Sequence, residues 1–360
     1  MSKKVVIGMS GGVDSSVSAA ILKKEGYNVI GITMQIWVAR ESTPNTVNTC
    51  CSLASIEEAR RIAGEIGIPH HIIDMRDIFI ENVIDNFCNE YSSGRTPNPC
   101  IRCNQFVKFD YLWEKAKELG ADLIATGHYA RIEKNQITGK YLLEKGIDEN
   151  KDQSYVLYVL TQEQLSHTIF PLGNLRKEET RQIAEVLNLS VSKKPESQEI
   201  CFIPEDNYPK FLRNVVPERI VPGPIIDKEC RVIGQHKGLP FYTIGQRKGL
   251  GISHKKPLYV ASMDIKRNAL IVGEKEDCYS KEFLVKDLNW IALDNIREDH
   301  RVKVKIRSTM MEEDAVISPK NNNVYVKFDK PQWAITPGQS AVFYENDVVL
   351  GGGIISANVR

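Results

Sequence analysis

The chain has 360 residues, of which 42% are hydrophobic and 26% are charged. This length exceeds one ordinary core, so two or three domains are expected, and the composition excludes a chain that is disordered, collagen-like or coiled coil throughout. Lys and Arg number 47 against 46 Asp and Glu, so a polyanion partner would need a local basic patch. No apolar run approaches the roughly 20 residues of a membrane span, and a signal-peptide core is lacking, so a cytoplasmic location without membrane contact is expected.

Strand-like and helix-like segments alternate through the first third of the chain. A glycine turn separates the first strand from a helix that ends near Gly26, and a capping-box pattern at Ser55 predicts the start of the second helix. Such alternation predicts an α/β fold with a doubly wound parallel sheet, whose ligands bind at the carboxyl ends of the strands. The predicted strands are residues 5–9, 29–34, 71–74 and 122–128, and further helices are predicted near residues 78–91, 109–119 and 177–188.

The later part of the chain changes in character twice. Residues 230–263 contain six Lys or Arg and no Asp or Glu, which makes this segment the candidate basic patch for a nucleic acid. From about residue 280 the apolar period becomes two, as in residues 302–307. This pattern predicts a small antiparallel barrel or sandwich. Lys303 and Lys305 are candidate RNA contacts, although each taken singly is typical of solvated surface.

The turn after the first strand reads Ser10-Gly11-Gly12-Val13-Asp14-Ser15-Ser16. Backbone N–H groups at the start of the following helix, together with its dipole, make such a turn a ready anion site. The string lacks the lysine of a Walker A loop and the spacing of a dinucleotide-binding turn. It resembles the pyrophosphate loop of the N-type ATP pyrophosphatase superfamily, whose members cleave ATP between the α and β phosphates and adenylate a substrate.

Eight cysteines are too few for a disulfide framework in a chain of this length. Cys100 and Cys103 form a CxxC pair, which in a cytosolic protein favours metal binding or redox chemistry over structural bridging. Cys50 and Cys51 are adjacent and are interpreted as packing residues, because adjacent cysteines seldom form a disulfide. Cys201 taken alone is typical of a small buried side chain.

Several short motifs carry a closer resemblance. They are residues 94–99 with Cys103-Asn104, 125–129, 151–155, 200–203, 245–251 and 336–341. They are similar to motifs of the tRNA-specific 2-thiouridylase family. The resemblance implies an enzyme that uses ATP, Mg²⁺ and a persulfide from a sulfur-donor protein to place sulfur at C2 of the wobble uridine of tRNA. It also implies an ATP pyrophosphatase domain over residues 1–204, a central tRNA-binding domain over 205–276 and a C-terminal β-barrel over 277–360.

The same resemblance implies roles for particular residues. The residue matching Cys201 carries the persulfide, and the residue matching Cys103 is its partner thiolate, so the two must approach to disulfide range. The positions implied in ATP binding are Gly8, Met9, Ser10, Gly11, Gly12, Val13, Asp14, Ser15, Met34 and Gly127. The target-base loop is Asn98, Pro99 and Cys100, and the positions implied in contacts to the anticodon region of tRNA are His128, Lys151, Asp152, Gln153, Arg307, Ser308 and Gln339.

One position departs from the family pattern. The family has an aspartate after Asn-Pro, whereas this chain has Cys100. A thiol is a weak hydrogen-bond acceptor that titrates at about 8.5, so it does not replace a carboxylate. Cys100, Cys103 and Cys201 together resemble the three thiolates that hold an iron–sulfur cluster in other tRNA thiolases. Three chemistries stay open for these cysteines: such a cluster, persulfide–disulfide exchange, and a structural metal.

Two other functions compete with this prediction. An amide-forming ATP pyrophosphatase that uses ammonia shares the phosphate loop but does not require Cys103 and Cys201. The second alternative is a non-catalytic RNA-binding or redox-sensing protein with a metal at Cys100 and Cys103. That function does not explain the phosphate loop. The thiouridylase prediction accounts for both the loop and the cysteines.

Overall fold

The computed structural model describes residues 2–36, 53–195, 200–203 and 207–358. Cys50 and Cys51, interpreted above as packing residues, lie outside the described residues. The chain passes from a parallel sheet through a small mixed sheet to a closed antiparallel barrel. None of the described helices is both long and apolar enough to cross a membrane.

The first sheet has five parallel strands. They are β1 (Lys4–Gly8), β2 (Asn28–Gln35), β3 (His70–Asp74), β4 (Leu123–Ala125) and β7 (Thr168–Ile169). Their order in the sheet is β3-β2-β1-β4-β7. Val5, Val6 and Ile7 of the central strand are all fully buried, so both faces of the sheet need cover.

Helices supply that cover on both faces. The single-segment helices are α1 (Val13–Lys24), α2 (Leu53–Ile66), α5 (Ser154–Leu157), α6 (Gln162–Ser166), α7 (Lys177–Val186) and α8 (Tyr208–Val215). Two longer runs contain π-helical turns: α3 joins Arg76–Phe79, Ile80–Ile84 and Asp85–Ser92, and α4 joins Pro99–Arg102, Cys103–Tyr111 and Leu112–Glu118. Side chains of α1, α2 and α7 pack with Val5 and Ile7, whereas those of α3 and α4 pack with Val6. The predicted doubly wound α/β fold is confirmed.

Two helix starts differ from the sequence prediction. Helix α2 begins at Leu53, so Ser55 lies inside its first turn and is not its N-cap. Helix α4 begins at Pro99, about ten residues before its predicted start. Asn98 caps α4 by accepting a hydrogen bond from the Cys100 amide, and proline is favoured in a first helical turn because it has no N–H to satisfy.

A small mixed sheet follows the parallel sheet. Its strands are β8 (Gly223–Ile226), β9 (Val232–His236), β10 (Tyr259–Asp264) and β11 (Ala269–Gly273), in the order β10-β11-β8-β9. The basic segment of residues 230–263 covers β9 and the connection to β10. Arg247 and Lys248 lie exposed in that connection, as a nucleic-acid contact requires.

The last region is a closed barrel. Its strands are β12 (Tyr279–Trp290), β13 (His300–Lys305), β14 (Glu313–Lys320), β15 (Asn323–Trp333), β16 (Ser340–Glu345) and β17 (Val348–Asn358). All their pairings are antiparallel, and β12 pairs with both β15 and β17, which closes the barrel. The predicted antiparallel barrel is confirmed.

A hairpin from the first region joins this barrel. Strands β5 (Ala130–Lys134) and β6 (Tyr141–Lys145) pair with each other, and β6 pairs with β17. This junction corrects the interpretation of Lys305 as solvated surface. Lys305 is only 9% exposed, because the chain around Asp152 packs over it and places its Nζ 4.0 Å from the Asp152 carboxylate. Lys303 is exposed, as predicted.

Candidate nucleotide and target-base site

The phosphate loop joins β1 to α1 at the carboxyl end of the parallel sheet. Gly12 precedes α1 in an extended conformation, and the Ser15 hydroxyl accepts a hydrogen bond from the Ser10 amide over 3.2 Å. Gly11 has a φ of +69°, and a Cβ there would lie 2.7 Å from the Ser55 carbonyl oxygen. The loop therefore requires glycine at position 11 both for its backbone conformation and for the close approach of α2.

The other positions implied in ATP binding surround this loop. Met9, Val13 and Met34 line the same cavity as Ser10, Gly12, Asp14 and Ser15. Gly8 ends β1. A Cβ on Gly127 would lie 2.8 Å from the Ser15 amide nitrogen, so this glycine lets the chain after β4 pack directly on the start of α1. The structure thus brings the predicted nucleotide residues together around one point of the sheet edge.

The cavity over the loop has a volume of about 410 Å³. Within the described residues, its charged lining consists of the four lysines Lys108, Lys151, Lys177 and Lys194 against the single carboxylate of Asp14. An excess of cations suits a polyphosphate, whose negative charge they offset. Cys103 also lines this cavity. A thiol and a phosphate loop that are distant in the sequence therefore share one space.

Lys177 and Asp14 form the main ion pair in the cavity. The Lys177 Nζ lies 2.6 and 2.8 Å from the two Asp14 carboxylate oxygens, and the Tyr129 hydroxyl donates to the same carboxylate over 2.8 Å. The Lys177 side chain is only 10% exposed. Lys194 donates to the Gly11 carbonyl over 2.9 Å and also pairs with Glu58. Two lysines thus hold the loop and its acidic side chain in place.

These two lysines were missed at the sequence level. Lys177 is the first residue of α7, where the positive end of the helix dipole disfavours a cation. A lysine at the start of a helix is therefore a signal in the sequence that its side chain has a role outside the helix. Lys194 follows the predicted helix in an irregular segment and carries no comparable signal.

Helix α4 carries the two cysteines of the CxxC pair on one side of this site. Asn98, Pro99 and Cys100 form its capped start, with Cys100 exposed, while Cys103 is 8% exposed. Cys103, Val107 and Lys108 face the nucleotide cavity. The target-base loop therefore continues directly into the helical turn whose Cys103 lines the cavity over the phosphate loop.

A second cavity lies on another side of the same helix. It has a volume of about 360 Å³ and separates the start of α4 from the barrel. Asn98, Ile101 and Arg102 line it from the helix, and Gly338 and Ser340 line it from the barrel. Burial lowers the pKa of Arg102, whose guanidinium lies 4.3 Å from the ring centroid of Phe106. The loop that carries the target-base residues is thus flanked by two cavities.

Cys201 lies between two ranges outside the described residues, 196–199 and 204–206. Its neighbour Phe202 packs its ring edge-on against Phe79 and Phe87 of α3, with centroid distances of 5.6 and 5.3 Å. Helix α3 in turn packs against α4, which carries Cys103. Within the described part of the chain, no three His, Cys, Asp or Glu side chains are gathered closely enough to hold a metal ion.

The positions implied in tRNA contacts fall into two groups. Lys151 and Gln153 line the nucleotide cavity, and Ser308 is exposed. The others are engaged inside the protein. His128 is 7% exposed, and its pKa is lowered well below the ordinary histidine value, first by burial and then by Lys108. The Asp152 carboxylate accepts hydrogen bonds from the Gly146 and Ser154 amides.

The side chains of Arg307 and Gln339 donate hydrogen bonds to backbone carbonyls. An Arg307 guanidinium nitrogen donates to the Ala334 carbonyl over 2.6 Å, and the Gln339 amide nitrogen donates to two carbonyls of the segment before α4. Burial lowers the pKa of Arg307. Both side chains therefore have structural partners in the protein without RNA.

The parallel sheet, the glycine-serine loop and the cation-lined cavity define a nucleotide-binding α/β protein. Protein-family models agree with this class and extend over nearly the whole chain. The model described as the tRNA methyl transferase HUP domain matches residues 3–205. The tRNA methyl transferase PRC-barrel domain matches residues 209–274, and the aminomethyltransferase beta-barrel domain matches residues 280–355.

Similar proteins identify the family more narrowly. The tRNA-specific 2-thiouridylase MnmA 2 of Thermoanaerobacter sp. (strain X514) is 51% identical over 362 aligned residues, covering 100% of both chains. The tRNA-specific 2-thiouridylase MnmA of Halothermothrix orenii is 52% identical, covering 99% of both chains. The chain belongs to the tRNA-specific 2-thiouridylase family. A solved 4-thiouridine synthetase–RNA complex with bound ATP is 19% identical, covers 60% of this chain and 51% of its own, and has a TM-score of 0.36, too low for any conclusion.

Proposed function

We propose that this protein is an ATP-dependent tRNA-uridine 2-sulfurtransferase that thiolates C2 of the wobble uridine. The observation that carries the proposal is the shared cavity: Cys103 and the phosphate loop at Ser10 to Ser15 line the same space of about 410 Å³. An amide-forming ligase of this superfamily needs the loop but no thiol beside it. A non-catalytic RNA-binding protein needs neither. The arrangement therefore favours chemistry that uses a nucleotide and a cysteine together.

The first step is activation of the uridine. The C2 oxygen of uracil is a poor leaving group, so it attacks the α-phosphorus of ATP, and pyrophosphate leaves with the electron pair of the broken P–O bond. The phosphate-loop amides and the cavity lysines are suited to hold the charge of that pyrophosphate. The product is a uridine adenylate whose C2 accepts a nucleophile.

Mg²⁺ fits this site through its donor chemistry. Asp14 is the sole carboxylate among the described residues that line the cavity, and hard cations prefer oxygen ligands. Bound Mg²⁺ would neutralise phosphate charge, with Asp14 as its protein ligand. In the structure Asp14 is paired with Lys177, whose side chain reaches the same cavity and is placed to bind phosphate oxygens beside the metal.

The second step delivers sulfur. In the persulfide form, the terminal sulfur on Cys201 attacks C2 and AMP leaves with the C2–O electron pair. The Cys103 thiolate then attacks the Cys201 sulfur, so the S–S bond breaks toward the uridine, which leaves as 2-thiouridine, and a Cys103–Cys201 disulfide forms. A thiol reductant must reduce that disulfide to the two free thiols before the next turnover. A cytoplasmic sulfur-donor protein that reloads Cys201 belongs to this proposal.

A second form of the sulfur step would use an iron–sulfur cluster held by Cys100, Cys103 and Cys201, although these thiols, like any other three His, Cys, Asp or Glu side chains of the described residues, are not gathered closely enough in the structure to hold a metal ion. Cys100 and Cys103 lie one turn apart at the start of α4, so both thiols can reach one side of the helix. Thiolates are the ligands that iron–sulfur clusters take. Cys201 would be the third ligand, and the cluster would supply the sulfide that displaces AMP from C2.

One set of variants separates the two forms of the sulfur step. In the persulfide form, Cys100→Ser keeps activity within about tenfold of wild type in iron-free protein supplied with a persulfide, because only Cys103 and Cys201 exchange sulfur. In the cluster form, serine at any of the three positions removes iron and activity together. Iron content, the visible spectrum and thiolation are measured after anaerobic reconstitution. An active iron-free wild-type protein excludes the cluster form.

The function itself is tested with purified protein, ATP, Mg²⁺, a persulfide source and a tRNA transcript that has uridine at the wobble position. Mass spectrometry of the digested tRNA should detect 2-thiouridine, and pyrophosphate release should depend on tRNA. A matched transcript with cytidine at the wobble position is the control. Pyrophosphate release that needs ammonia in place of a sulfur source would support the amide-forming alternative.

A further inference from the structure

The segment Gly94 to Asn98 is a junction of all three regions of the chain. It leads from α3 into the capped start of α4, and so it positions the target-base loop and the helical turn that carries Cys100 and Cys103. Both the central region and the barrel contact it. This segment, called the junction segment here, therefore links the RNA-binding parts of the molecule to the nucleotide cavity.

The barrel holds the junction segment by its main chain. The Gln339 side-chain nitrogen donates to the Thr96 carbonyl over 2.9 Å and to the Pro97 carbonyl over 3.2 Å. In the reverse direction, the Thr96 amide donates to the Pro337 carbonyl over 2.9 Å. Because main-chain groups make these bonds, they fix the path of the backbone and do not depend on the side chains at positions 96 and 97.

Close packing at Gly338 independently supports this contact. Gly338 has a φ of +92°, and a Cβ there would lie 2.9 Å from both the Arg95 Cβ and the Thr96 amide nitrogen. A side chain at this position would therefore push the two segments apart. The barrel turn needs glycine because the junction segment lies directly against it.

The central region braces the other side of the junction segment. The Thr96 hydroxyl donates to the Thr243 hydroxyl over 3.2 Å, and a Cβ on Gly94 would lie 2.2 Å from the Ile265 Cδ1. Arg95 is tied back to Glu90 of α3 by two hydrogen bonds of 2.7 and 2.5 Å. The barrel contact therefore completes a set of restraints around the junction segment.

We infer that Gln339 is a positioning residue that holds the target-base loop and the start of α4 in place, and that it acts through the Thr96 and Pro97 carbonyls. Its amide nitrogen already donates to both of these carbonyls in the absence of RNA. A direct tRNA contact through this nitrogen would release the junction segment. The catalytic part of this inference rests on the proposed function, whereas the restraint of the backbone does not.

Hydrogen exchange tests the restraint without tRNA. In Gln339→Leu, amides in peptides covering residues 94–103 should exchange about tenfold faster, because two hydrogen bonds to the segment are lost. The matched control is Gln332→Leu, since Gln332 is a buried glutamine of the barrel that donates to the Lys330 carbonyl of its own strand and not to the junction segment. Gln339→Glu serves as a second variant if the leucine variant does not fold, because it keeps the size and polarity but removes the donors.

Turnover and tRNA binding are then measured on the same proteins. At saturating tRNA, turnover of Gln339→Leu should fall about tenfold or more through misplacement of the target-base loop, while tRNA affinity stays within about twofold of wild type. The inference is overturned if exchange over residues 94–103 matches wild type, or if lost tRNA affinity accounts for the whole loss of turnover. Absence of thiolation in the wild type would contradict the proposed function alone, since the exchange result stands without it.

Discussion

In the nucleotide cavity, the residues that shape the phosphate loop are neighbours in the sequence, whereas the target-base loop is held by residues from three separate parts of the chain. The loop from Ser10 to Ser15 forms within one strand–turn–helix unit, and its main outside supports are Lys177 and Lys194. The junction segment depends on Thr243 from the central region and Gln339 from the barrel. The cavity over the phosphate loop is thus built within one domain, whereas the target-base loop is held by contacts from the whole assembled molecule.

This difference separates two kinds of failure. Damage to the phosphate loop should abolish activation while the tRNA surface stays intact. Damage to the barrel contact should leave ATP binding intact and reduce productive alignment. Variants that damage one region at a time distinguish these two failures.

Loss of the Asp14 carboxylate should have the largest effect. Asp14→Ala removes the partner of Lys177 and the sole carboxylate among the described residues that line the cavity, so 2-thiouridine formation should drop below about 1% of wild type. Asp294→Ala is the control, because the Asp294 side chain is 93% exposed and pairs with Lys140 away from the cavity. Nucleoside mass spectrometry is the readout. Full modification by Asp14→Ala would remove the loop from the mechanism.

Replacing Lys177 should weaken nucleotide binding. Lys177→Met removes a nearly buried cation that lines the cavity over the phosphate loop, and the dissociation constant for ATP should rise about tenfold to a hundredfold. Lys177→Arg should retain part of the affinity because it keeps the charge. Calorimetric titration with ATP provides the measurement. Lys256→Met is the matched control, since Lys256 pairs with Glu274 on the exposed surface of the central sheet, and unaltered ATP affinity in Lys177→Met would refute this role.

The exposed basic pair of the central region should affect tRNA alone. Arg247→Ala with Lys248→Ala should weaken tRNA binding and reduce the slope of log affinity against log salt by about 2, since each lost phosphate contact removes about one released counterion. ATP affinity should stay at the wild-type value. Lys23→Ala with Lys24→Ala at the end of α1 is the control for general charge. Equal slopes of log affinity against log salt in the two double variants would mean that tRNA does not contact Arg247 and Lys248.

The smallest effect is expected for the alkylation of the buried cysteines. Burial raises the pKa of Cys88 to about 11 and that of Cys278 to about 11. At pH 8 only about one in a thousand of these thiols is ionised, so both should react slowly and gain rate as the pH rises towards 11. The exposed Cys100 and Cys230 should react first. Rapid labelling of Cys88 at pH 8 would contradict its burial.

The sequence predicted the phosphate loop, whose determinants are neighbours in the chain, better than the target-base loop, which is held by residues distant in the chain. The parallel sheet followed from apolar runs at the right spacing, and the anion site followed from glycines and serines between a strand and a helix. The early start of α4 was missed because its signal, Asn98 before Pro99, is short and lies in a segment with few apolar residues. Lys305 was misread because its burial depends on packing against Asp152, far away in the sequence.

The contacts of the target-base loop could not be predicted from the sequence for the same reason. Its residues were predicted by resemblance, but no periodicity or spacing links Thr96 to Gln339. The pairing of β6 with β17 likewise joins two regions that the pattern treated as separate domains. Contacts of this kind depend on how finished domains fit together, which local propensity does not record.

The central claim is that one cavity serves the nucleotide and the thiol, and ATP protection of Cys103 tests it directly. The alkylation rate of Cys103 is measured by mass spectrometry with and without ATP and Mg²⁺, with Cys230 as the internal reference. The account predicts that ATP slows modification of Cys103 about fivefold or more while Cys230 is unaffected, and that protein alkylated at Cys103 binds ATP more weakly. Equal rates for Cys103 with and without saturating ATP would contradict it.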